Sequence, residues 1–128
     1  MKEPQWIDKA DCLGFHNMLL ARFGGVEGLR DEGLLESALA RPLQLLSYGS
    51  PGIFDLAAAY AHGIVKNHPF LEGNKRSGLM AAAMFLEING WSFQAPEEQA
   101  VLQTLALAAG EIDADEFSAW LKASCVAT

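Results

Sequence analysis

The chain has 128 residues, a length at which a protein buries roughly two thirds of its unfolded surface, so we expect one domain over residues 1–128. Its formal net charge of −7 argues against direct binding to nucleic acid, because phosphate contacts need clustered Lys and Arg. The longest apolar run, GLMAAAMFL, is too short to cross a bilayer, and the N-terminal stretch MKEPQWIDKADC lacks the apolar run of a secretory signal. These features predict a cytoplasmic protein that does not bind a membrane.

The first part of the chain has the apolar periodicity of helices. Apolar residues at helical spacing predict a helix over residues 8–23, which the glycines of FGG end. A second helix is predicted to start at Asp31, where acidic residues suit the positive end of the helix dipole. Pro42 is expected to follow the end of this helix closely.

A cluster of turn-forming residues separates the second helix from the third. The stretch SYGSPG, residues 47–52, predicts a surface loop or a small hairpin. A third helix is expected from about Ile53 to Asn67. Pro69 ends it, because proline disfavours helical geometry in the residue before it, which is His68.

The second half continues as helices. Residues 74–90 form a segment that is apolar on nearly every side, which is typical of a helix in the middle of a bundle. Residues 91–96 read as a short extended segment, and two more helices are expected over 97–109 and 113–124, the last with Asp113 as N-cap. The predicted fold class is all-α: a compact bundle of about six helices around a central apolar helix, with a short flap or hairpin.

The loop HPFLEGNKRSG, residues 68–78, lies between the end of one predicted helix and the start of the next. Free backbone N–H groups and the positive end of a helix dipole meet at such a place, which favours phosphate binding. Gly73 lets a ligand approach the backbone, and Asn74 is predicted to cap the new helix while offering its amide to an anion.

Basic residues concentrate at this loop in an otherwise acidic chain. Lys66, Lys75 and Arg76 are three of nine basic residues, and no Lys or Arg occurs between Arg76 and Lys122. Arg76 offers a planar fork for two phosphate oxygens and Lys75 a point charge beside it. The cluster indicates either an anion site or a solvated face, and Lys66 either contacts a nucleotide or is solvated.

Two further side chains suit phosphate transfer. Glu72 is an oxygen ligand of the kind that Mg²⁺ prefers, or else an ordinary loop carboxylate. Histidine can accept a proton near neutral pH, which makes His68 a candidate base, although a histidine at a helix end is often simply hydrogen-bonded. His16 and His62 are expected to be packed rather than reactive, and with His68 they show no metal-ligand spacing.

The nine residues HPFLEGNKR resemble the signature of Fic-domain proteins: His, any residue, Phe, any residue, Asp or Glu, Gly, Asn, a variable residue and Arg. The stretches FHNMLLARFGG, GLRDEGLLESALARP and FLEING are similar to the Doc (death-on-curing) branch of that superfamily. The resemblance implies that His68 is the base, Glu72 the Mg²⁺ ligand and Phe70 a core anchor. It also implies a phosphate nest formed by Gly73, Asn74 and Arg76, and a flap over 47–53 that holds an extended target segment.

Lys75 occupies the position at which the commonest Fic proteins, which transfer AMP from ATP, have Gly. The Doc branch has Lys there, which implies a reversed nucleotide that presents its γ-phosphate; the Doc type has Ala where this chain has Gly73. The resemblance therefore implies a toxin that phosphorylates a hydroxyl of a host protein, such as elongation factor Tu, with ATP and Mg²⁺. AMP transfer, or a non-catalytic helical interaction module, remain the alternatives.

Many Fic proteins carry an inhibitory helix with Ser or Thr, three intervening residues, then Glu and Gly or Asn. No Ser or Thr of this sequence has that pattern after it. Restraint is therefore expected from a small antitoxin protein, which lays an amphipathic helix into an apolar groove of the toxin.

Overall fold

The structure, a computed structural model, describes residues 3–128. These residues form six helices and two short strands, so the predicted all-α fold is confirmed. In chain order they are α1 (Lys9–Phe23), α2 (Glu32–Tyr48), α3 (Ile53–Asn67), α4 (Asn74–Ile88), β1 (Trp91–Phe93), α5 (Glu97–Ala109), α6 (Ala114–Ala123) and β2 (Cys125–Ala127). Over this described part of the chain, no helix combines the length and the apolar character that a membrane span requires.

Helices α3 and α4 pack against each other at the centre of the molecule. Helix α3 also contacts α2, α5 and α6, while α4 contacts α1, α5 and β1. The two backbones approach closely at Gly78, where a Cβ atom would lie 3.2 Å from the Ala61 carbonyl oxygen. Buried apolar side chains from all six helices join in one core. The central position predicted for α4 is confirmed, and α3 shares it.

Helix α2 continues past the proline that was expected to follow its end. Pro42 is buried inside α2, which runs on to Tyr48. Proline cannot donate to the carbonyl four residues earlier, which belongs to Ala38. That carbonyl lies against α3, so near that a Cβ atom on Gly63 would be 3.1 Å from it. Close packing between α2 and α3 therefore outweighs the local cost of the proline, and the predicted end of this helix is wrong.

The segment between α2 and α3 is a loop. This confirms one of the two structures predicted for it, a surface loop or a small hairpin. The loop is limited to residues 49–52, because Ser47 and Tyr48 belong to α2. The two-stranded sheet forms elsewhere: β1 pairs antiparallel with β2, and Ser92 lies opposite Val126. This sheet joins the segments that follow α4 and α6.

Side-chain caps fix the starts of three helices where the sequence predicted them: Asp31 accepts from the Leu34 N–H at the start of α2, and the caps of α1 and α6 are reciprocal. Asp8 precedes α1 and accepts a hydrogen bond from the Asp11 N–H, while Asp113 precedes α6 and accepts one from the Glu116 N–H. In both cases the second acidic residue accepts a bond from the cap's own N–H. Helices α1 and α6 thus begin with reciprocal capping boxes.

Candidate active site

The loop between α3 and α4 begins at His68, which caps α3 in the left-handed conformation with φ of +50°. Within residues 3–128, His68 is the one non-glycine residue with a positive φ. Pro69 follows it and is buried, and Gly73, with φ of +82°, precedes α4. The end of α3 before Pro69 is therefore as predicted, and both turns of the loop use left-handed backbone.

A neighbouring segment supports the loop through the backbone. Leu29 forms an isolated antiparallel bridge with Phe70, and the Leu71 N–H donates to the Gly28 carbonyl at 3.1 Å. This segment connects α1 to α2, so two further helices determine where the loop lies.

Phe70 anchors the loop in the core. Its side chain is 1% exposed, and its ring stacks on His16 with the centroids 3.6 Å apart. The Nε2 atom of His16 donates to the Glu72 main-chain oxygen at 2.8 Å. The burial expected of Phe70 and the packed state expected of His16 are both confirmed. The sequence does not reveal that His16 also holds the loop, because its partner is a backbone atom 56 residues away.

Asn74 does not cap α4 with its side chain, contrary to the prediction. Gly73 is the N-cap and no side chain caps this end. The Asn74 Oδ1 atom accepts from the Phe70 N–H, and its Nδ2 atom donates to the Phe70 carbonyl, both at 2.9 Å. Both polar atoms of the amide bond to Phe70, so Asn74 can offer an anion its main-chain N–H and the second hydrogen of its side-chain NH₂ group. Its predicted role in nucleotide binding stays a prediction.

A cleft of about 460 Å³ opens beside the loop. Six of the seven predicted site residues line it: His68, Glu72, Gly73, Asn74, Lys75 and Arg76. Apolar side chains and one hydroxyl complete the walls, namely Leu71, Leu79, Val101, Thr104 and Leu105. The structure thus places a candidate base, a carboxylate and two cations around one cavity at the N-terminus of α4.

The two cations of the cleft are not neutralised by carboxylates. Within residues 3–128, ion pairs join Lys9 to Glu32 and Glu36, and neither Lys75 nor Arg76 forms one. Instead the Arg76 guanidinium lies 4.4 Å from the centre of the Phe23 ring, a cation–π contact. Positive charge is therefore available to an anion. The sequence analysis missed Phe23, whose only signal is an aromatic residue at the exposed end of α1.

Lys66, the seventh predicted residue, does not line the cleft. Its Nζ atom donates to the Ala108 carbonyl at 3.1 Å, near the end of α5. Its predicted contact with a nucleotide has no support in this geometry and stays a prediction. The remaining histidine, His62, contacts Arg41 at 2.8 Å from its Nδ1 atom, and burial, Arg41 and Lys66 lower the pKa of His62.

The residues present fit a magnesium ion bound together with phosphate. Glu72 is exposed at the cleft, and its carboxylate lies close to Gly25. A Cβ atom added to that glycine would be 2.8 Å from the Glu72 Oε2 atom. The described residues contain no group of three His, Cys, Asp or Glu side chains that could hold a metal. A single carboxylate suits Mg²⁺, which usually takes one or two carboxylates and completes its shell with phosphate oxygens and water.

The helical fold carries this cleft, lined by Lys75 and Arg76, at the N-terminus of α4. The model of the Fic/DOC family matches residues 6–86, more than half of the chain. The protein therefore belongs to the Fic/DOC family.

Two curated proteins show the same relationship. The chain is 40% identical over 89 residues to "Toxin Doc" of Mycolicibacterium smegmatis, which covers 67% of this chain and 65% of that protein. It is 31% identical over 108 residues to "Protein kinase doc" of Escherichia phage P1, covering 83% and 84% of the two chains. The matched region is thus just under two thirds of the mycobacterial protein and most of the phage protein.

Proposed function

We propose that this protein is a Doc-like toxin that transfers the γ-phosphate of ATP to a hydroxyl group of a host protein in the cytoplasm. The observation that carries the proposal is the pair Lys75 and Arg76, which lines the cleft beside His68 without a carboxylate partner. The printed names of the two relatives, a toxin and a protein kinase, support it. The proposal treats residues 1–128 as one functional domain, in keeping with the single core.

Transfer proceeds by in-line displacement. His68 removes the proton from the target hydroxyl, and the oxygen attacks the γ-phosphorus. The bond from the γ-phosphorus to the oxygen that bridges the β- and γ-phosphates breaks, and ADP leaves. Such reactions depend mainly on positioning and on neutralising charge. Lys75, Arg76 and the free N–H groups at the start of α4 supply that charge.

Glu72 is proposed to hold Mg²⁺. When bound, the ion neutralises phosphate charge and orients the transferred group. Glycine suits the position before α4, because a side chain at the Gly73 φ of +82° would be strained.

The target is proposed to be a protein segment, with a translation factor such as elongation factor Tu as the candidate. The flap proposed to hold it is residues 47–53, of which 49–52 form the loop between α2 and α3. Extended peptides can pair with exposed backbone of this kind, which gives affinity through main-chain bonds.

A small antitoxin is proposed to restrain the enzyme by placing an amphipathic helix on α5. Val101, Leu102 and Leu105 of α5 are 49%, 66% and 44% exposed. Glu97 and Glu98 are exposed at the start of the same helix. Apolar contacts flanked by carboxylates favour a helix whose rim carries Lys or Arg.

The proposal is tested by incubating the protein with a cell lysate and ATP labelled at either the γ- or the α-phosphate. We expect a protein band labelled from γ-labelled ATP alone. Lys75→Gly should reduce this labelling, because Lys75 is proposed to decide the orientation of the nucleotide. Labelling of a protein from α-labelled ATP would instead show AMP transfer. Transfer of neither label by the protein free of antitoxin would identify a binding module.

A further inference from the structure

An exposed arginine outside the cleft holds the end of α3. Arg30 lies in the segment between α1 and α2 and is absent from the cleft lining. We infer that Arg30 is a positioning residue, which fixes the backbone of His68 so that its imidazole faces the target hydroxyl. This inference rests on the proposed function of His68 as the base.

Three successive carbonyl groups are held by Arg30 and its neighbour. The Arg30 Nε atom donates to the His68 carbonyl at 2.7 Å, and one terminal nitrogen donates to the Asn67 carbonyl at 2.8 Å. The main-chain N–H groups of Arg30 and Asp31 both donate to the Pro69 carbonyl, at 2.7 and 3.1 Å. The guanidinium therefore holds the carbonyl groups that precede and follow the Cα atom of His68, and the main-chain N–H groups of Arg30 and Asp31 hold the next one along the chain.

The bonds matter because the backbone at His68 is strained. A side chain with a Cβ atom disfavours the left-handed conformation, which persists only where surrounding contacts impose it. The last carbonyls of a helix also lack partners within the helix and carry partial negative charge, which a cation stabilises. Arg30 meets both needs at once, since its fork matches the two carbonyls that flank the Cα atom of His68.

Arg30 acts through the backbone and not on the substrate, so its loss should affect the chemical step more than nucleotide binding. A small misplacement of a catalytic group lowers the rate steeply, and we expect Arg30→Ala to lower kcat by about ten- to hundredfold. The KM for ATP should stay within about twofold, because the phosphate-binding residues follow Gly73 and are held by separate contacts. Arg30→Lys should recover only part of the rate, because an ammonium lacks the fork.

The experiment compares these two variants with Arg41→Ala. It measures steady-state transfer from γ-labelled ATP to the protein that wild type labels in the lysate. Arg41 is also an arginine outside the cleft with a side-chain bond to another helix, but its partner is His62 and not the backbone at His68. Its removal should leave kcat within about twofold of wild type. Free guanidinium ions should raise the kcat of Arg30→Ala, since the site is exposed, and should not change that of Arg41→Ala.

A second measurement does not depend on activity. The ¹³Cα and ¹³Cβ chemical shifts of His68 report its backbone conformation. They should keep left-handed values in wild type and Arg41→Ala, and change in Arg30→Ala. Unchanged shifts, an unchanged kcat, or a rise in KM that accounts for the whole loss would overturn the inference. If wild type transfers no phosphate, the proposed function fails, and the His68 shifts alone decide the role of Arg30.

Discussion

Helices α3 and α5 end in similar ways but with different residues. Both stop at a left-handed residue, and in both a basic side chain from elsewhere donates to a carbonyl of the last turn. At the end of α5 the residue is Gly110, with φ of +79°, and the cation is Lys66. At the end of α3 it is His68, with φ of +50°, and the cation is Arg30.

The difference supports the proposed role of His68. Glycine takes left-handed backbone without a steric penalty, so Gly110 does nothing more than end its helix. His68 takes the same conformation at a cost and lines the cleft, which Gly110 does not. The strained residue thus lies where a reactive side chain is useful, and the extra bonds from Arg30 hold it there.

The largest expected effect is on the rate of phosphate transfer, which should depend on the residue that ends α3 and not on the one that ends α5. His68→Ala should lower the transfer rate by about 10²- to 10⁴-fold, because it removes the proposed general base. ATP affinity should stay near that of wild type, since Lys75 and Arg76 remain. Single-turnover transfer and equilibrium ATP binding measure the two quantities.

Gly110→Ala is the control for this pair of helix ends. It alters a left-handed cap outside the cleft, so its transfer rate should remain close to that of wild type. A His68→Ala enzyme as active as wild type would refute the assignment of the base.

The second test concerns the contacts that hold the loop. Asn74→Ala leaves the buried N–H and C=O groups of Phe70 without partners, and should lower the free energy of unfolding by about 2–4 kcal/mol. The transfer rate should fall as well, because the loop carries the site. Denaturant unfolding and the transfer assay on the same samples measure both changes.

Asn89→Ala provides a matched control, because this asparagine also bonds to backbone, at Gln5 and Phe85. It lies at the far end of α4, so stability should fall without a change in rate. Equal loss of rate in the two variants would show that the loop has no special dependence on Asn74.

Most helix boundaries and most of the cleft lining could be predicted from the sequence. Helix periodicity, the acidic caps and Pro69 predicted where most helices begin and end, because these signals act over a few residues. The motif from His68 to Arg76 likewise predicted which side chains would surround the cleft. Both are local features of a continuous stretch.

The rest depended on contacts between distant segments. The passage of α2 through Pro42 depends on how closely Ala38 packs on Gly63. The supporting role of Arg30 depends on backbone atoms that no sequence pattern marks. Asn74 was assigned to a cap because asparagine favours that position, whereas in the fold its side chain bonds to Phe70.

A third, smaller effect is the cost in free energy of unfolding when a residue with a Cβ atom takes left-handed backbone. Gly110→Ala should lower the free energy of unfolding by about 1–2 kcal/mol, since a Cβ atom disfavours this conformation. Gly14→Ala, inside α1 with open space around its Cβ position, should raise it by up to about 1 kcal/mol. Thermal or denaturant unfolding of both variants checks the opposite signs, and two changes of the same sign would contradict this account of the caps.

The smallest expected effect concerns Lys66. Lys66→Met should lower the free energy of unfolding by about 0.5–1 kcal/mol, because it removes a charged donor from the end of α5. Lys122→Met, in the last turn of α6, is the control for a change of charge alone. If Lys66 only supports the helix end, the KM for ATP stays unchanged, whereas a raised KM would show that it binds the nucleotide.

The most direct test of the central claim measures stability and transfer together in His68→Gly. The account predicts that this variant unfolds at a free energy higher than that of wild type by about 0.5–1 kcal/mol, because glycine relieves the strain at φ of +50°. It also predicts that the variant loses transfer by about 10²- to 10⁴-fold, as His68→Ala does, because the proposed base is removed. A variant that is less stable than wild type, or that transfers phosphate as fast as wild type, would contradict the claim that His68 is held in a strained backbone for its chemistry.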